Sequence, residues 1–239
     1  MKLDILVIAV HPDDAELGCA GTILSHVARG KKVGIIDLTR GELGTRGTPE
    51  IRLQEAEAAA RVLGLSAREN LGFRDAFFRN DEEHQMALIA AIRRYQPDMV
   101  LANALFDRHP DHGRASDLIR EACFYSGLRQ IKTQDTDGSE QEAWRPKQVF
   151  HFIQDRYIKP DFVVDVTDFW EQKQESIRAY RSQFFDPSSH EPQSYISSED
   201  FWKFLEARSR EFGHMIGVTH GEGYTSDRTL GVQTLEAFL

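Results

Sequence analysis

The chain has 239 residues and carries 29 Lys and Arg against 38 Asp and Glu, for a formal net charge of −9. This balance argues against a nucleic-acid-binding protein, because binding to phosphates needs clustered cationic side chains. No apolar run approaches the roughly 18 residues needed to cross a bilayer, so we expect no membrane association. The N-terminus lacks the pattern of a secretory signal, and two cysteines do not suggest a disulfide framework. A cytoplasmic location is the simplest expectation.

Strand and helix patterns alternate through the first half of the chain. Apolar runs predict strands at residues 3–10, 32–38, 70–73 and 99–102. Periodic segments between and after them predict helices at residues 18–29, 49–63, 82–95 and 113–124. Pro49 suits a first helical turn, and Gly30 and Gly64 are stop signals. The alternation indicates right-handed βαβ units and a mostly parallel α/β sheet.

The pattern changes after residue 125. A polar, acidic stretch at residues 132–141 predicts a surface loop. Later strands are predicted at 148–153 and 162–166, and later helices at 168–181 and 199–212. The Ser- and Pro-rich segment 182–198 lacks periodicity, and we expect a lid or a packing loop there. Without an internal repeat or a clear linker, we expect one domain over residues 1–239.

Two clusters of His and Asp each follow a predicted strand. His11-Pro12-Asp13-Asp14 comes after the first strand, and His109-Pro110-Asp111-His112 comes after the strand at 99–102. Open α/β proteins build their sites at the carboxyl edge of the sheet, where such strand ends meet. The pair of clusters therefore predicts two halves of one metal site. Each cluster alone also fits a helix cap or a turn, which is the structural alternative.

His11, Asp14 and His112 are the predicted metal ligands. A catalytic zinc typically has three protein ligands and leaves a fourth position open. We expect Zn²⁺, although Fe²⁺, Co²⁺ or Mn²⁺ would accept the same donors.

Three further residues of the clusters have predicted catalytic roles. Asp13 is the candidate general base that takes a proton from the attacking water. His109 is the candidate donor that stabilises the oxyanion of amide hydrolysis and protonates the leaving amine. Asp111 is a candidate orienting carboxylate for His109 or for a ligand imidazole.

Several stretches resemble a known family. A-V-H-P-D-D-A-E-L-G-C-A-G-T at residues 9–22 and R-H-P-D-H-G-R-A at 108–115 resemble the LmbE-like, or PIG-L, zinc deacetylases. Within that family, T-R-G-E-L-G-T-R-G-T at 39–48, R-x-x-E-A at 52–56 and I-G-V-T-H-G-E-G-Y at 216–224 resemble the bacillithiol-biosynthesis branch. The resemblance covers nearly the whole chain.

The resemblance implies a Rossmann-like fold with helices on both faces of the sheet and the site at the carboxyl ends of its strands. It implies zinc-dependent hydrolysis of the N-acetyl group of N-acetylglucosaminyl-malate. By position it matches the zinc ligands to His11, Asp14 and His112, the general base to Asp13, and the acid or electrostatic partner to His109. It also implies a homo-oligomer, a trimer or a hexamer.

The resemblance matches Arg52 to a residue that holds the malate carboxylates, as a bidentate guanidinium would. Arg108 and Tyr195 are expected to line the same pocket. A solvated basic surface is the alternative for Arg52, which lies near Arg40 and Arg46, and plain loop packing is the alternative for Tyr195.

Two positions depart from the family pattern. His220 stands where an aromatic such as tyrosine is expected, and Asp107 stands where related mycothiol enzymes carry a tyrosine. Any oxyanion role for a tyrosine must then come from elsewhere, with Tyr195 as the candidate.

Two other functions remain open at this point. One is deacetylation of chito-oligosaccharides or of another N-acetylglucosamine conjugate. The other is a non-catalytic zinc-binding or sugar-binding module. Asp13 and His109 beside a three-ligand set argue against such a module, because a fourth protein ligand closes a structural zinc site.

Overall fold

Seven strands form one sheet in the computed structural model, which describes residues 1–238. The strands are β1 Ile5–Ala9, β2 Val33–Thr39, β3 Ala67–Phe73, β4 Met99–Ala102, β5 Gln148–Phe152, β6 Phe162–Asp165 and β7 Gly221–Ser226. Their order in the sheet is β3-β2-β1-β4-β5-β7-β6. β1 to β5 are parallel, and β7 runs antiparallel to both β5 and β6. The prediction of a mostly parallel α/β sheet is confirmed.

Within residues 1–238, six α-helices cover the two faces of this sheet. They are α1 Asp14–Ala28, α2 Pro49–Leu63, α3 Glu82–Tyr95, α4 Pro110–Tyr125, α5 Trp170–Arg178 and α6 Glu199–Met215. Side chains of a strand alternate between its faces, so β1 contributes to two cores. Leu6 and Ile8 pack with α3 and α4, and Ile5 and Val7 pack with α1. A third apolar cluster joins α2, α5 and α6.

Local capping explains the helices whose bounds agree with the prediction. The Thr48 side chain accepts a hydrogen bond from the Ile51 amide at the start of α2, and Gly64 ends this helix with a φ of 66°. The Asp81 side chain caps α3 in the same way. The predicted bounds of α2, α3 and β4 are confirmed.

Other bounds differ from the prediction. α1 begins at Asp14 instead of residue 18, and α4 begins at Pro110 instead of residue 113. Both His-Pro-Asp clusters therefore run into the first turns of helices. β7 was not predicted as a strand, because Gly221 and Gly223 weaken the strand pattern of this short segment.

A buried ion pair supports a break inside α1. Cys19 leaves the helical conformation with a φ of −146°, which frees amide groups of the following turn. The Glu222 carboxylate accepts hydrogen bonds from the Gly21 and Thr22 amides at 2.9 and 2.8 Å. Lys173 Nζ donates to Glu222 at 2.6 Å and to the Leu17 carbonyl at 2.9 Å. These contacts fix the first turn of α1, which carries Asp14, against β7 and α5.

Both cysteines are buried free thiols. Among the helices within residues 1–238, we find none with the length and apolar character of a membrane span.

His151 is a fully buried residue of β5. Its Nδ1 donates to the Asn103 carbonyl oxygen at 2.8 Å, and within the described residues its Nε2 has no partner. Burial lowers the pKa of His151 below its ordinary value. The folded protein therefore holds this imidazole in the neutral form.

We expect the stabilising contribution of neutral His151 to be complete above about pH 6.5, the ordinary histidine pKa. It is lost as the pH falls toward the lower folded-state pKa, because the unfolded chain then binds a proton that the folded chain excludes. Urea unfolding of the wild type and of His151→Leu between pH 8 and 5 measures this difference. The variant should show the flatter pH dependence, and equal slopes would contradict the assignment.

Candidate metal centre

The side chains of His11, Asp14 and His112 converge at the carboxyl edge of the sheet. His11 lies in the turn after β1, Asp14 opens α1, and His112 lies in the first turn of α4. One Asp14 oxygen is 3.5 Å from His11 Nδ1, and the other is 3.2 Å from His112 Nε2. The three donor atoms lie within 4.8 Å of one another, in a geometry that could hold one ion.

Two outer carboxylates orient the imidazoles. The outward nitrogen of His11, Nε2, lies 2.9 Å from Asp75, and the outward nitrogen of His112, Nδ1, lies 2.6 Å from Asp107. These contacts leave Nδ1 of His11 and Nε2 of His112 directed at Asp14, as a metal ligand set requires. Asp75 and Asp107 were not predicted as site residues, and Asp107 was noted only as a departure from the family pattern.

The charges of the centre fit a divalent cation. Burial lowers the pKa of His11, but hydrogen bonds to Asp14 and Asp75 outweigh it and raise this pKa to about 10 without a cation. Burial also opposes protonation of His112, and the charge of Asp14 with a hydrogen bond to Asp107 raises its pKa to about 9. The carboxylates thus stabilise positive charge at the place where the donor atoms of His11, Asp14 and His112 converge. Two imidazoles and a carboxylate suit Zn²⁺ and similar ions.

Asp13 stands next to Asp14 in different surroundings. Its backbone has a φ of 127°, a left-handed conformation that non-glycine residues rarely adopt. Burial raises the pKa of Asp13 to about 7, against the opposing charge of Arg52, whereas the pKa of Asp14 is held well below its usual range by His112 and His11 despite burial. This difference in pKa suits Asp13 to act as a general base and Asp14 to act as a metal ligand.

Arg52 stabilises the strained turn at Pro12 and Asp13 through hydrogen bonds. Its Nη2 donates to Asp13 at 2.7 Å, and Nε and Nη2 both donate to the Pro12 carbonyl at 3.1 and 2.9 Å. Nη1 donates to Gln183 Oε1 at 2.8 Å. A Cβ on Gly41 would come within 3.2 Å of Nη1, so this loop glycine gives the guanidinium room. Arg52 also lines the cavity, and its role toward the malate carboxylates stays a prediction.

His109 caps α4 and faces both ligand imidazoles. Its ring centroid lies 4.9 Å from that of His11 and 5.2 Å from that of His112. The Asp111 amide donates to His109 Nδ1 at 3.3 Å, so the ring carries its hydrogen on Nε2. Burial, and then the charges of His11 and His112, lower the pKa of His109. The residue is therefore a neutral donor.

Asp111 is placed differently from the prediction. Its carboxylate accepts hydrogen bonds from the Ala76 amide at 3.0 Å and from Arg114 at 2.8 Å. It comes no closer than 3.9 Å to His11 Nε2. The imidazoles of His11 and His112 are oriented by Asp75 and Asp107 instead. Asp111 does belong to a second possible ligand group, with His11 and His109.

A cavity of about 350 Å³ opens onto the centre and includes Arg108 and Tyr195 in its walls. The Arg108 guanidinium lies 4.3 Å from the Tyr195 ring centroid and 3.5 Å from Asp155. Within the described part of the chain, His220 is not among the residues that line this cavity. Its ring stacks on Trp170 with centroids 4.4 Å apart, so the departure at this position is a packing feature.

Comparison with known proteins identifies the family. The family model described as GlcNAc-PI de-N-acetylase (PIG-L) matches residues 6–123. An N,N'-diacetylchitobiose deacetylase from Pyrococcus horikoshii is 30% identical, covers 92% of this chain and 82% of its own, and has a TM-score of 0.79. The conserved protein TT1542 from Thermus thermophilus is 38% identical, covers 97% and 98%, and has a TM-score of 0.85.

A probable N-acetyl-alpha-D-glucosaminyl L-malate deacetylase 2 from Bacillus subtilis is 26% identical over 77% of this chain and 84% of its own. The chain belongs to the PIG-L, or LmbE-like, family, as its motifs indicate. The prediction of an enzyme of the N-deacetylase class is confirmed.

The Asp107 contact generates a test of the metal centre. We expect Asp107→Asn to weaken Zn²⁺ binding about 10- to 100-fold, because His112 loses the carboxylate that orients it. Competition with a chelating indicator measures the affinity. Asp117→Asn is the matched control, since Asp117 lies on the exposed side of α4. Equal affinity in Asp107→Asn and the control would contradict the role of Asp107.

Proposed function

We propose that the protein is a metal-dependent hydrolase that removes the N-acetyl group from an N-acetylglucosamine conjugate. One observation carries the proposal. Two adjacent carboxylates occupy different surroundings, with Asp14 among the metal donors and Asp13 outside them, buried, with a pKa raised to about 7. A purely structural metal site does not need a second carboxylate, that of Asp13, or a neutral hydrogen-bond donor, His109, beside its ligands.

The residues of the cavity divide the work of amide hydrolysis. A divalent cation held by His11, Asp14 and His112 supplies a Lewis acid for the amide carbonyl and for water. Asp13 accepts a proton from water as its oxygen bonds to the carbonyl carbon. Asp13 then returns this proton to nitrogen as the C–N bond breaks, which yields acetate and a free amine.

His109 is best suited to the electrostatic part of its predicted role. A neutral imidazole with its hydrogen on Nε2 donates a hydrogen bond to the developing oxyanion. Its lowered pKa disfavours the imidazolium that a general acid needs. Proton delivery to the leaving amine therefore falls to Asp13.

Two conjugates are candidate substrates. N-acetylglucosaminyl-malate is supported by the motif resemblance and by the name of the Bacillus subtilis relative. Diacetylchitobiose is supported by the name of the Pyrococcus horikoshii relative. The engagement of Arg52 with Pro12, Asp13 and Gln183 favours a conjugate without malate. We propose Zn²⁺ as the resident ion.

The role of Asp13 is tested with Asp13→Asn. We expect this variant to keep its metal and to lose about 10²- to 10⁴-fold in kcat, the usual contribution of a positioned base. Acetate release from N-acetylglucosaminyl-malate and from diacetylchitobiose is measured beside the metal content. A variant within about threefold of the wild-type rate, far short of that contribution, would refute the assignment.

The role of Arg52 is tested by measuring separately how a substitution of this residue changes kcat and KM. If Arg52 holds the Asp13 turn, Arg52→Lys lowers kcat about tenfold or more and leaves KM for the better substrate nearly unchanged, since an ammonium group lacks the planar fork of donors with which the guanidinium engages its acceptors. If Arg52 binds malate, KM for N-acetylglucosaminyl-malate rises and that for diacetylchitobiose does not. Metal content serves as the control for folding of the site.

A further inference from the structure

Part of the cavity wall beside the metal centre is apolar. It consists of five side chains, from α1, from the segment before α6 and from α6 itself: Leu17, Ile196, Phe201, Phe204 and Leu205. We call this set the apolar wall. Its members belong to or pack against the cluster that joins α2, α5 and α6. The wall is therefore one continuous surface backed by core.

The apolar wall starts within one helical turn of the candidate base. The Leu17 amide donates to the Asp13 carbonyl at 2.9 Å, so Leu17 lies one turn after Asp13 on α1. Phe204 and Leu205 are only half-buried, although core packs behind them. Apolar side chains in a cavity commonly provide the contact surface for a ligand. A substrate that reaches Asp13 thus brings its neighbouring group toward this wall.

The cationic side chains of the same cavity are already engaged by protein groups. Five aspartates line the cavity, namely Asp13, Asp14, Asp75, Asp107 and Asp155, beside three arginines, Arg46, Arg52 and Arg108, and the divalent cation that His11, Asp14 and His112 would hold balances the difference in charge. Each arginine already has a protein acceptor. Arg46 donates to the Ser182 carbonyl at 2.8 Å, Arg52 donates to Asp13, and Arg108 pairs with Asp155. A dicarboxylate aglycone would have to displace one of these contacts.

We propose that the cavity selects N-acetylglucosaminides whose aglycone is uncharged and presents an apolar face to the apolar wall. An aryl ring, an alkyl group or the C–H face of a neutral sugar meets this description. The inference rests on the proposed function and names the substrate class of the same site.

The first arm of the test changes only charge. Acetate release is compared between N-acetylglucosaminyl-malate and its dimethyl ester. We expect the neutral ester to have the higher kcat/KM, by about tenfold, because the cavity arginines already engage protein acceptors and a dianion would lose its hydration without gaining a free cationic side chain. A preference of about tenfold for the dianion would overturn the proposal.

The second arm changes only apolar area. Phenyl and methyl N-acetylglucosaminides are compared, and the phenyl compound should have about tenfold higher kcat/KM through burial of its ring. Phe204→Ser and Leu205→Ala should each reduce this advantage, and Phe124→Ala, at an exposed position of α4, should retain it. Equal values for the two glycosides in the wild type would overturn the proposal.

A binding arm separates this inference from the proposed function. Calorimetry with metal-loaded Asp13→Asn measures affinity for the same four compounds without turnover. If no compound releases acetate from the wild type, the proposed function fails. The affinities then decide the selectivity alone, with tighter binding of the phenyl glycoside and the neutral ester as the supporting result.

Discussion

The turn that follows β1 has to place two adjacent carboxylates in different surroundings. Asp14 must face His11 and His112, and Asp13 must face away from them while staying in the same cavity. The backbone achieves this with a φ of 127° at Asp13, a conformation that costs on the order of 1–3 kcal/mol for a non-glycine residue. Arg52 holds the turn from the side, through the Pro12 carbonyl and the Asp13 carboxylate.

The surrounding fold supports this turn from several directions. The Glu222–Lys173 pair fixes the break in α1, so the first turn of the helix keeps its direction. Asp75 and Asp107 reach the ligand imidazoles from the loops after β3 and β4. Apart from the Asp107–His112 pair, whose residues are five apart in sequence, these contacts join distant parts of the chain at the carboxyl edge of the sheet. The metal centre is thus a product of the parallel topology, which brings these loops together.

Local sequence patterns predict much of this arrangement. Thr48, Pro49 and Gly64 set α2 through short-range chemistry, and the prediction of its bounds is confirmed. The ligand roles of His11, Asp14 and His112 stay predictions, although the structure brings their donor atoms together. Asp75 escaped prediction because its contact with His11 depends on how two loops meet in space, whereas the Asp107–His112 pair, five residues apart, is local and was missed. Arg52 was singled out from the sequence, but only the fold shows that Asp13 and Pro12 occupy its guanidinium.

Anomalous diffraction from crystals grown with Zn²⁺ tests the metal centre most directly. We expect one strong peak at the zinc edge, bounded by His11 Nδ1, His112 Nε2 and the Asp14 carboxylate. A peak among His11, His109 and Asp111, the other possible ligand group, would refute this ligand set. So would the absence of a peak from this cavity in zinc-saturated crystals. Either contrary result would leave Asp13 without the role that its strained turn and the Arg52 contact indicate.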